Sequence, residues 1–271
     1  MVRAPGTLKR SAQVSAGKLK GLHQDRLQQA RDRQQEAADD VRKDAEVRVE
    51  LPHTAVPNGR DVARITGLCL RHGRLVNADL LVSGPERIAL VGRNGAGKTS
   101  LLRTLAGQLA PLEGEVKVMV PWRFLPQRLD LLDEKLSVFD NVAGAAPGVF
   151  PQDIRAQLAK FLFRGARAAQ QAGTLSGGER FRAALAMTML AAPAPQLLML
   201  DEPTNNLDGS SVRQLTGALS AYKGALLVAS HDLPFLDSVG MDRWLFLDEG
   251  LRETTAEQVR DLLEGRQSGQ E

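Results

Sequence analysis

From Asp61 onward, short apolar runs alternate with stretches of helical composition. The runs are VARITGLCL, RIALV, VKVMV, QLLML, ALLVA and RWLFL. Several are continuous rather than alternating, the pattern of strands buried on both faces of a mostly parallel sheet. Helical stretches lie between them, such as Thr99–Ala106 and Glu179–Ala192, stopped by Gly107 and Pro193. The segment from Leu129 to Gly173 contains no strand-like run and reads as a helical insertion, part of a helical subdomain over about residues 129–192. A closing helix is expected near Thr254, where Thr254 and Glu257 fit a capping box. The pattern predicts an α/β domain with a mostly parallel core sheet and a helical subdomain.

The first fifty residues differ. They read as helix, but Leu19, Leu22, Leu27, Ala30, Ala38, Val41 and Ala45 give only a thin apolar stripe, too weak for an independent core. Residues 51–60, with Pro52, Pro57 and Asn58-Gly59, read as a connecting loop. The predicted organisation is a helical arm over 1–50, that loop, the α/β domain over 61–250, and a C-terminal helix and tail over 251–271.

Composition narrows the classes. With 43% hydrophobic and 25% charged residues the 271-residue chain has the make-up of an ordinary globular protein. No apolar run approaches the roughly 18 residues that span a bilayer. Cys69 is the single cysteine, so an internal disulfide is excluded and a reducing, cytoplasmic setting is expected. The net charge of +3 is small, but its placement is uneven. Met1 to Arg33 holds eight basic and two acidic residues, whereas Gln34 to Glu50 holds three basic and six acidic ones. A basic stretch of this kind suits RNA phosphate. It lacks aromatic stacking residues, which argues against base-specific readout.

The chemistry begins at RIALVGRNGAGKTSLLRTLAG, a strand, a glycine-rich loop and a helix in succession. Gly92, Gly97, Lys98 and Thr99 satisfy G-x-x-x-x-G-K-[ST]. Glycines let successive backbone N–H groups turn inward toward phosphate oxygens, and the helix N-terminus adds its dipole. The candidate phosphate cradle is Gly92, Arg93, Asn94, Gly95, Ala96, Gly97, Lys98, Thr99 and Ser100. Lys98 is expected to reach the β- and γ-phosphates, and the Thr99 hydroxyl to ligate Mg²⁺. A chance glycine turn explains the string but not its strand–loop–helix setting.

QLLMLDEPTNNLD places Asp201 and Glu202 at the C-terminal end of an apolar strand, where open α/β sheets bind ligands. Asp201 there suits a metal held through water, and Glu202 suits the base that orients and polarises an attacking water. ALLVASHD repeats the arrangement with Ser230, His231 and Asp232. His231 is expected at the same sheet edge, beside the γ-phosphate or that water. His23, His53 and His72 read as turn residues.

TLSGGERFRAALAMTML opens a helix with Ser176, Gly177 and Gly178, a second backbone built to receive an anion. A chain with its own phosphate loop has no evident need of two. With that element the sequence resembles the ATP-binding cassette superfamily over about residues 61–250. The matching elements are Gly92–Thr99 (Walker A), Gln127 in FLPQ (Q-loop), Leu175–Glu179 (signature), Asp201–Glu202 (Walker B and catalytic glutamate), Leu207-Asp208 (D-loop) and His231 (H-loop). The resemblance implies ATP and Mg²⁺ as ligands, with Thr99, Gln127 and Asp201 at the metal. It implies Lys98, Glu202 and His231 as the catalytic group. It also implies that Ser176, Gly177, Gly178 and Glu179 read the γ-phosphate of ATP held by a facing cassette, two cassettes closing over two nucleotides.

DEPTNNLD and LSGGER are similar to the F family of that superfamily, whose members join two cassettes by a long basic helical linker that enters the ribosome. Residues 1–50 resemble the later part of such a linker running into a second cassette. The resemblance therefore implies a translation factor or a ribosome-protection ATPase, working as a homodimer or with a first cassette. The alternatives are the ATPase subunit of a membrane transporter and an ATP-gated binding module. Near CLRHGRL, where the family usually carries an adenine-stacking aromatic, this chain offers His72 or an aliphatic residue.

Overall fold

The computed structural model describes residues 51–264 apart from 52 and 206. The expected arm over 1–50 and tail over 265–271 lie outside the described residues.

Two sheets organise the domain. Strand β1 (Asp61–Cys69) pairs antiparallel with β2 (Ala78–Ser83) on one side and β4 (Glu113–Val118) on the other. The second sheet has the order β5 (Trp122–Leu125), β6 (Leu197–Asp201), β7 (Ala225–Ala229), β3 (Arg87–Val91), β8 (Arg243–Leu247) and β9 (Leu251–Thr254). All its neighbours are parallel except β8 and β9. The helices are α1 (Lys98–Leu105), α2 (Val138–Ala145), α3 (Pro151–Lys160), α4 (Gly177–Met189), α5 (Gly209–Ala221), α6 (Leu233–Val239) and α7 (Ala256–Glu264), with 3₁₀ turns at Gly165–Ala169 and Ala172–Thr174.

Alternate residues of the central strands feed opposite cores. Ala89, Val91, Leu198, Leu200, Leu226 and Val228 join a cluster with residues of α2 to α6. Ile88, Leu90, Leu197, Met199, Ala225 and Leu227 join a second cluster with α1 and the antiparallel sheet. The central sheet is thus covered on both faces, which is why its strands read as unbroken apolar runs. Arg87 ties the base of this sheet to the helices. Its guanidinium donates to Val239 O at 2.8 Å, Leu219 O at 3.0 Å and Tyr222 O at 3.1 Å, satisfying carbonyls at the ends of α5 and α6.

Several details depart from expectation. The run VARITGLCL belongs to the antiparallel sheet, and its burial alternates over part of its length. Strands β2, β5 and β9 were not foreseen, and β4 begins at Glu113 and ends at Val118. Thr254 is the last residue of β9, paired with Trp244, so the helix cap moves one residue on. The Thr255 hydroxyl accepts from Gln258 N at 3.3 Å, and the Gln258 side chain accepts from Thr255 N at 3.2 Å. Residues 251–254 therefore complete the central sheet. The connecting segment also contributes to the core, since Leu51 and Val56 are buried in the two clusters. Helices α1 and α4 begin at Lys98 and Gly177, and α4 ends at Met189.

Candidate nucleotide and catalytic site

Sheet order brings the candidate residues together. Strands β5, β6, β7 and β3 are successive parallel neighbours, so their C-terminal ends share one edge. From that edge emerge the Gln127 segment, Asp201-Glu202, Ser230-His231 and the phosphate loop, in that spatial order. Residues separated by more than a hundred positions in the chain meet there.

They line a cleft of about 500 Å³. Its lining includes Asn94, Gly95, Gly97, Lys98, Thr99 and Ser100 of the loop together with Gln127, Glu202, Asn205 and His231. Gly92, Arg93 and Ala96 hold the loop's shape rather than its lining. Gly92 has φ +152°, and a Cβ there would collide with Leu247 O. Ala96 is buried and closes a turn by donating to Arg93 O at 3.1 Å.

Lys98 is buried, and its Nζ donates to Gly92 O at 2.8 Å and Arg93 O at 3.4 Å, with Glu202 Oε1 at 4.0 Å. The ammonium is thus held by the loop's own carbonyls, within reach of the acidic strand end. Thr99 Oγ1 donates to Asp201 Oδ1 at 3.1 Å. Asp201 is buried behind Thr99. Burial raises its carboxyl above the ordinary aspartate range, the Thr99 hydrogen bond opposes this, and the neighbouring Glu202 charge adds to the rise.

Glu202 is fixed from several sides. Its backbone is left-handed, φ +47°, an uncommon conformation for a residue with a Cβ. That turn is held by Glu202 N donating to Ala229 O at 2.7 Å and Asn205 N donating to Glu202 O at 3.2 Å. The carboxylate lies 2.7 Å from His231 Nδ1 and accepts from His231 N at 3.4 Å. Strain at such a position is a feature of sites whose surroundings over-determine the geometry. Next to His231, Ser230 is buried and its hydroxyl accepts from Asp232 N at 3.1 Å.

Sequence reading missed two participants. Asn205 lines the cleft, and so does Gly73 beside His72. A Cβ on Gly73 would lie 2.7 Å from Gly97 Cα, and Arg74 N donates to Ala96 O at 3.0 Å. The 72–74 turn is therefore docked on the phosphate loop, and its glycine is the signal that backbone meets backbone there.

A family model described as ABC transporter matches residues 75–205. The "Probable ATP-binding protein YheS" of Escherichia coli strain K12 is 41% identical over 171 residues, which are 62% of this chain and 26% of that protein. "Protein GCN20" of Saccharomyces cerevisiae is 37% identical over 174 residues, covering 63% of this chain and 23% of that protein. The "ATP-binding protein Uup-like" of Haemophilus influenzae is 39% identical over 173 residues, covering 61% and 37%. The chain has the fold of an ATP-binding cassette and is similar to these ATP-binding proteins. It spans between about a quarter and a little over a third of the length of these relatives. Among solved structures, a bacterial Atm1-family ABC exporter with ATP bound matches the cassette with a TM-score of 0.64 at 22% identity, over 79% of this chain and 41% of that chain. At that identity the likeness speaks for the fold.

Cassettes of this superfamily are generally ATPases that bind ATP with Mg²⁺, and the residues present fit those ligands. Among the described residues no cluster of three or more His, Cys, Asp or Glu is arranged to hold a metal by itself. The Thr99–Asp201 pair is instead a hard-oxygen set with few protein ligands, as suits an ion that keeps waters and shares phosphate oxygens. Gly92 and Gly97 let the loop backbone pack tightly against Leu247 and the 72–73 turn, while a Cβ on Gly95 would meet nothing within 4 Å.

The signature element of the cassette stands apart. Ser176 and Gly177 are exposed, and none of Ser176, Gly177, Gly178 and Glu179 lines the phosphate cleft. Ser176 caps α4: its Oγ accepts from Glu179 N at 3.4 Å, while Glu179 Oε2 accepts from Ser176 N at 3.0 Å. The Ser176 backbone hydrogen bond is the main reason the Glu179 carboxyl is held below the ordinary glutamate range. Gly178 lets α4 meet α5, since a Cβ there would lie 2.9 Å from Ser211 Oγ. Asp208 caps α5 by accepting from Ser211 N at 2.7 Å. Among the described residues no helix is long and apolar enough to cross a membrane.

Proposed function

We propose that this chain is one half of an ATP-driven clamp that acts on the ribosome, closing with a second cassette over two nucleotides. The observation that carries the reading is the separation of its two anion receptors. Lys98, Thr99, Glu202 and His231 surround one cleft, whereas the capped N-terminus of α4 is exposed elsewhere on the same chain. A receptor so placed serves a nucleotide held by another cassette, either a second copy or a first cassette in the same protein.

In this reading Gly92 to Ser100 cradle the phosphates, and Lys98 neutralises the β- and γ-oxygens. Thr99, Asp201 and Gln127 hold Mg²⁺, which when bound screens the phosphate charge. Glu202 takes a proton from the attacking water as the new phosphorus–oxygen bond forms and the bond to the bridging oxygen breaks. His231 holds Glu202 in place and faces the γ-phosphate. Removing such a base costs about 10²–10⁴ in rate. ATP stabilises the closed pair, and loss of the γ-phosphate removes that preference. The basic residues of 1–33 are assigned to ribosomal RNA, and the cytoplasm is the setting. General translation and antibiotic protection are both compatible with this.

The test is Glu202→Gln, which should bind ATP, turn over slowly and trap the closed assembly. The trapped protein should sediment with ribosomes in the presence of ATP, less so as salt rises. Co-purification with a membrane permease and no ribosome binding would favour a transporter subunit instead.

A further inference from the structure

A second cavity, of about 330 Å³, lies behind the catalytic wall. It is bounded by the segment after β5, by Phe181 and Arg180 of α4, and by Pro203 and Leu207. It meets the nucleotide cleft along Gln127, Glu202 and Asn205, which line both. The wall between the two cavities is therefore made of the base itself and two neutral carboxamides.

Three features bear on what this cavity does. Its volume equals about ten waters, ample for a small hydrated anion. It carries Arg180 within and the exposed Arg128 at its rim. Neither is a bare trap: Arg180 pairs with Glu134 at 2.9 Å, and Asp130 lines the same rim as Arg128. A path for an anion needs attraction enough to enter and weak enough holding to leave, which balanced charges supply.

We infer that this cavity is the exit path for the phosphate cleaved from ATP. The inference rests on the clamp reading above. In the closed pair the nucleotide cleft is covered by the facing signature, so its mouth is shut when the bond breaks. Gly177, one exposed edge of the second cavity, is covered by the partner's nucleotide. The Arg128–Asp130 rim belongs to neither anion receptor. Phosphate formed beside Glu202 passes between the Gln127 and Asn205 carboxamides, enters the second cavity and leaves at that rim. ADP stays on the phosphate loop.

The experiment follows the first turnover of the full chain with MgATP in two ways, total phosphate after acid quench and free phosphate by a fluorescent phosphate sensor. Arg128→Glu reverses the rim charge, and Leu129→Trp plugs the cavity. In the wild type the two traces should rise together. In the variants acid-quench phosphate should form within about twofold of the wild-type rate, while free phosphate lags at least fivefold. Free phosphate that keeps pace with cleavage in Arg128→Glu overturns the inference, as does the same result in a folded Leu129→Trp. If Leu129→Trp loses cleavage altogether, Arg128→Glu decides alone. A wild type that forms no acid-quench phosphate even at concentrations that drive chains to pair overturns the reading of this chain as an ATPase closing on its own copy, and the exit path for that pair with it.

Discussion

The phosphate loop and the N-terminus of α4 are built from the same materials, glycines, a helix start and a hydroxyl residue, yet the fold finishes them differently. At the loop, the lysine and the threonine meet the two acidic residues at the end of β6. Thr99 meets Asp201 at 3.1 Å, and Lys98 is buried. At α4 the hydroxyl and the glutamate satisfy one another, in a capping box between Ser176 and Glu179. The glycines beside it are left open to solvent or only partly covered. We propose that the first is complete within the chain as an anion receptor, and that the second, whose own side chains are already paired, adds binding only to an anion brought to it.

The largest break in this comparison should come from Lys98→Ala. Removing a buried charge held by the loop's own carbonyls typically costs about 2–5 kcal/mol. Equilibrium titration with MgATP should show affinity falling by about a hundredfold or more. His231→Ala should come next. It removes the 2.7 Å contact that holds Glu202, so turnover should drop by at least tenfold with nucleotide affinity within about threefold. A fall in affinity as large as that of Lys98→Ala would place His231 in ground-state binding instead.

Gly73→Ala probes the dock between the 72–74 turn and the loop. With φ at +117° and a Cβ placed 2.7 Å from Gly97 Cα, it should destabilise by about 1–3 kcal/mol, read by denaturant unfolding. It should also weaken MgATP binding, because the backbone that must move is the cradle. Unchanged affinity with lowered stability would separate the turn from the site.

How much of this was legible in advance follows from how local each signal is. The phosphate loop, the β6 end and the α4 start each reside in a few consecutive residues, and sequence order alone located them. The continuous apolar strands also declared their burial on both faces. The antiparallel sheet did not, because VARITGLCL is as apolar as the buried parallel strands and only pairing with β2 and β4 reveals its place. Strands β5 and β9 are four residues each and owe their existence to neighbours in the sheet. The cap of α7 slipped by one residue because Thr254 and Thr255 are both suitable, and β9 claims the first. The left-handed backbone of Glu202 had no sequence signal, since it is imposed by hydrogen bonds to Ala229 and Asn205.

A smaller effect is expected at the cap. Because the folded Glu179 carboxyl is held below its ordinary range, its stabilisation is present above that range and is lost as pH falls through the folded value. Glu179→Gln should therefore cost about 1 kcal/mol near neutrality, in the range of other helix caps. The gap in Tm between it and the wild type should close on acidification. A gap that is constant with pH would mean that packing, not the charged cap, stabilises α4.

The smallest expected effect is none, and it bears most directly on the separation of the two receptors. Ser176→Arg places a bulky cation on the exposed start of α4. MgATP binding should be measured at protein concentrations low enough to keep chains apart, with Lys98→Ala as the reference for a lost site. The expected dissociation constant is within about twofold of the wild type, with turnover lost once cassettes must pair. A loss of affinity matching that of Lys98→Ala would show that the α4 element serves the chain's own nucleotide, and would contradict a clamp built from two cassettes.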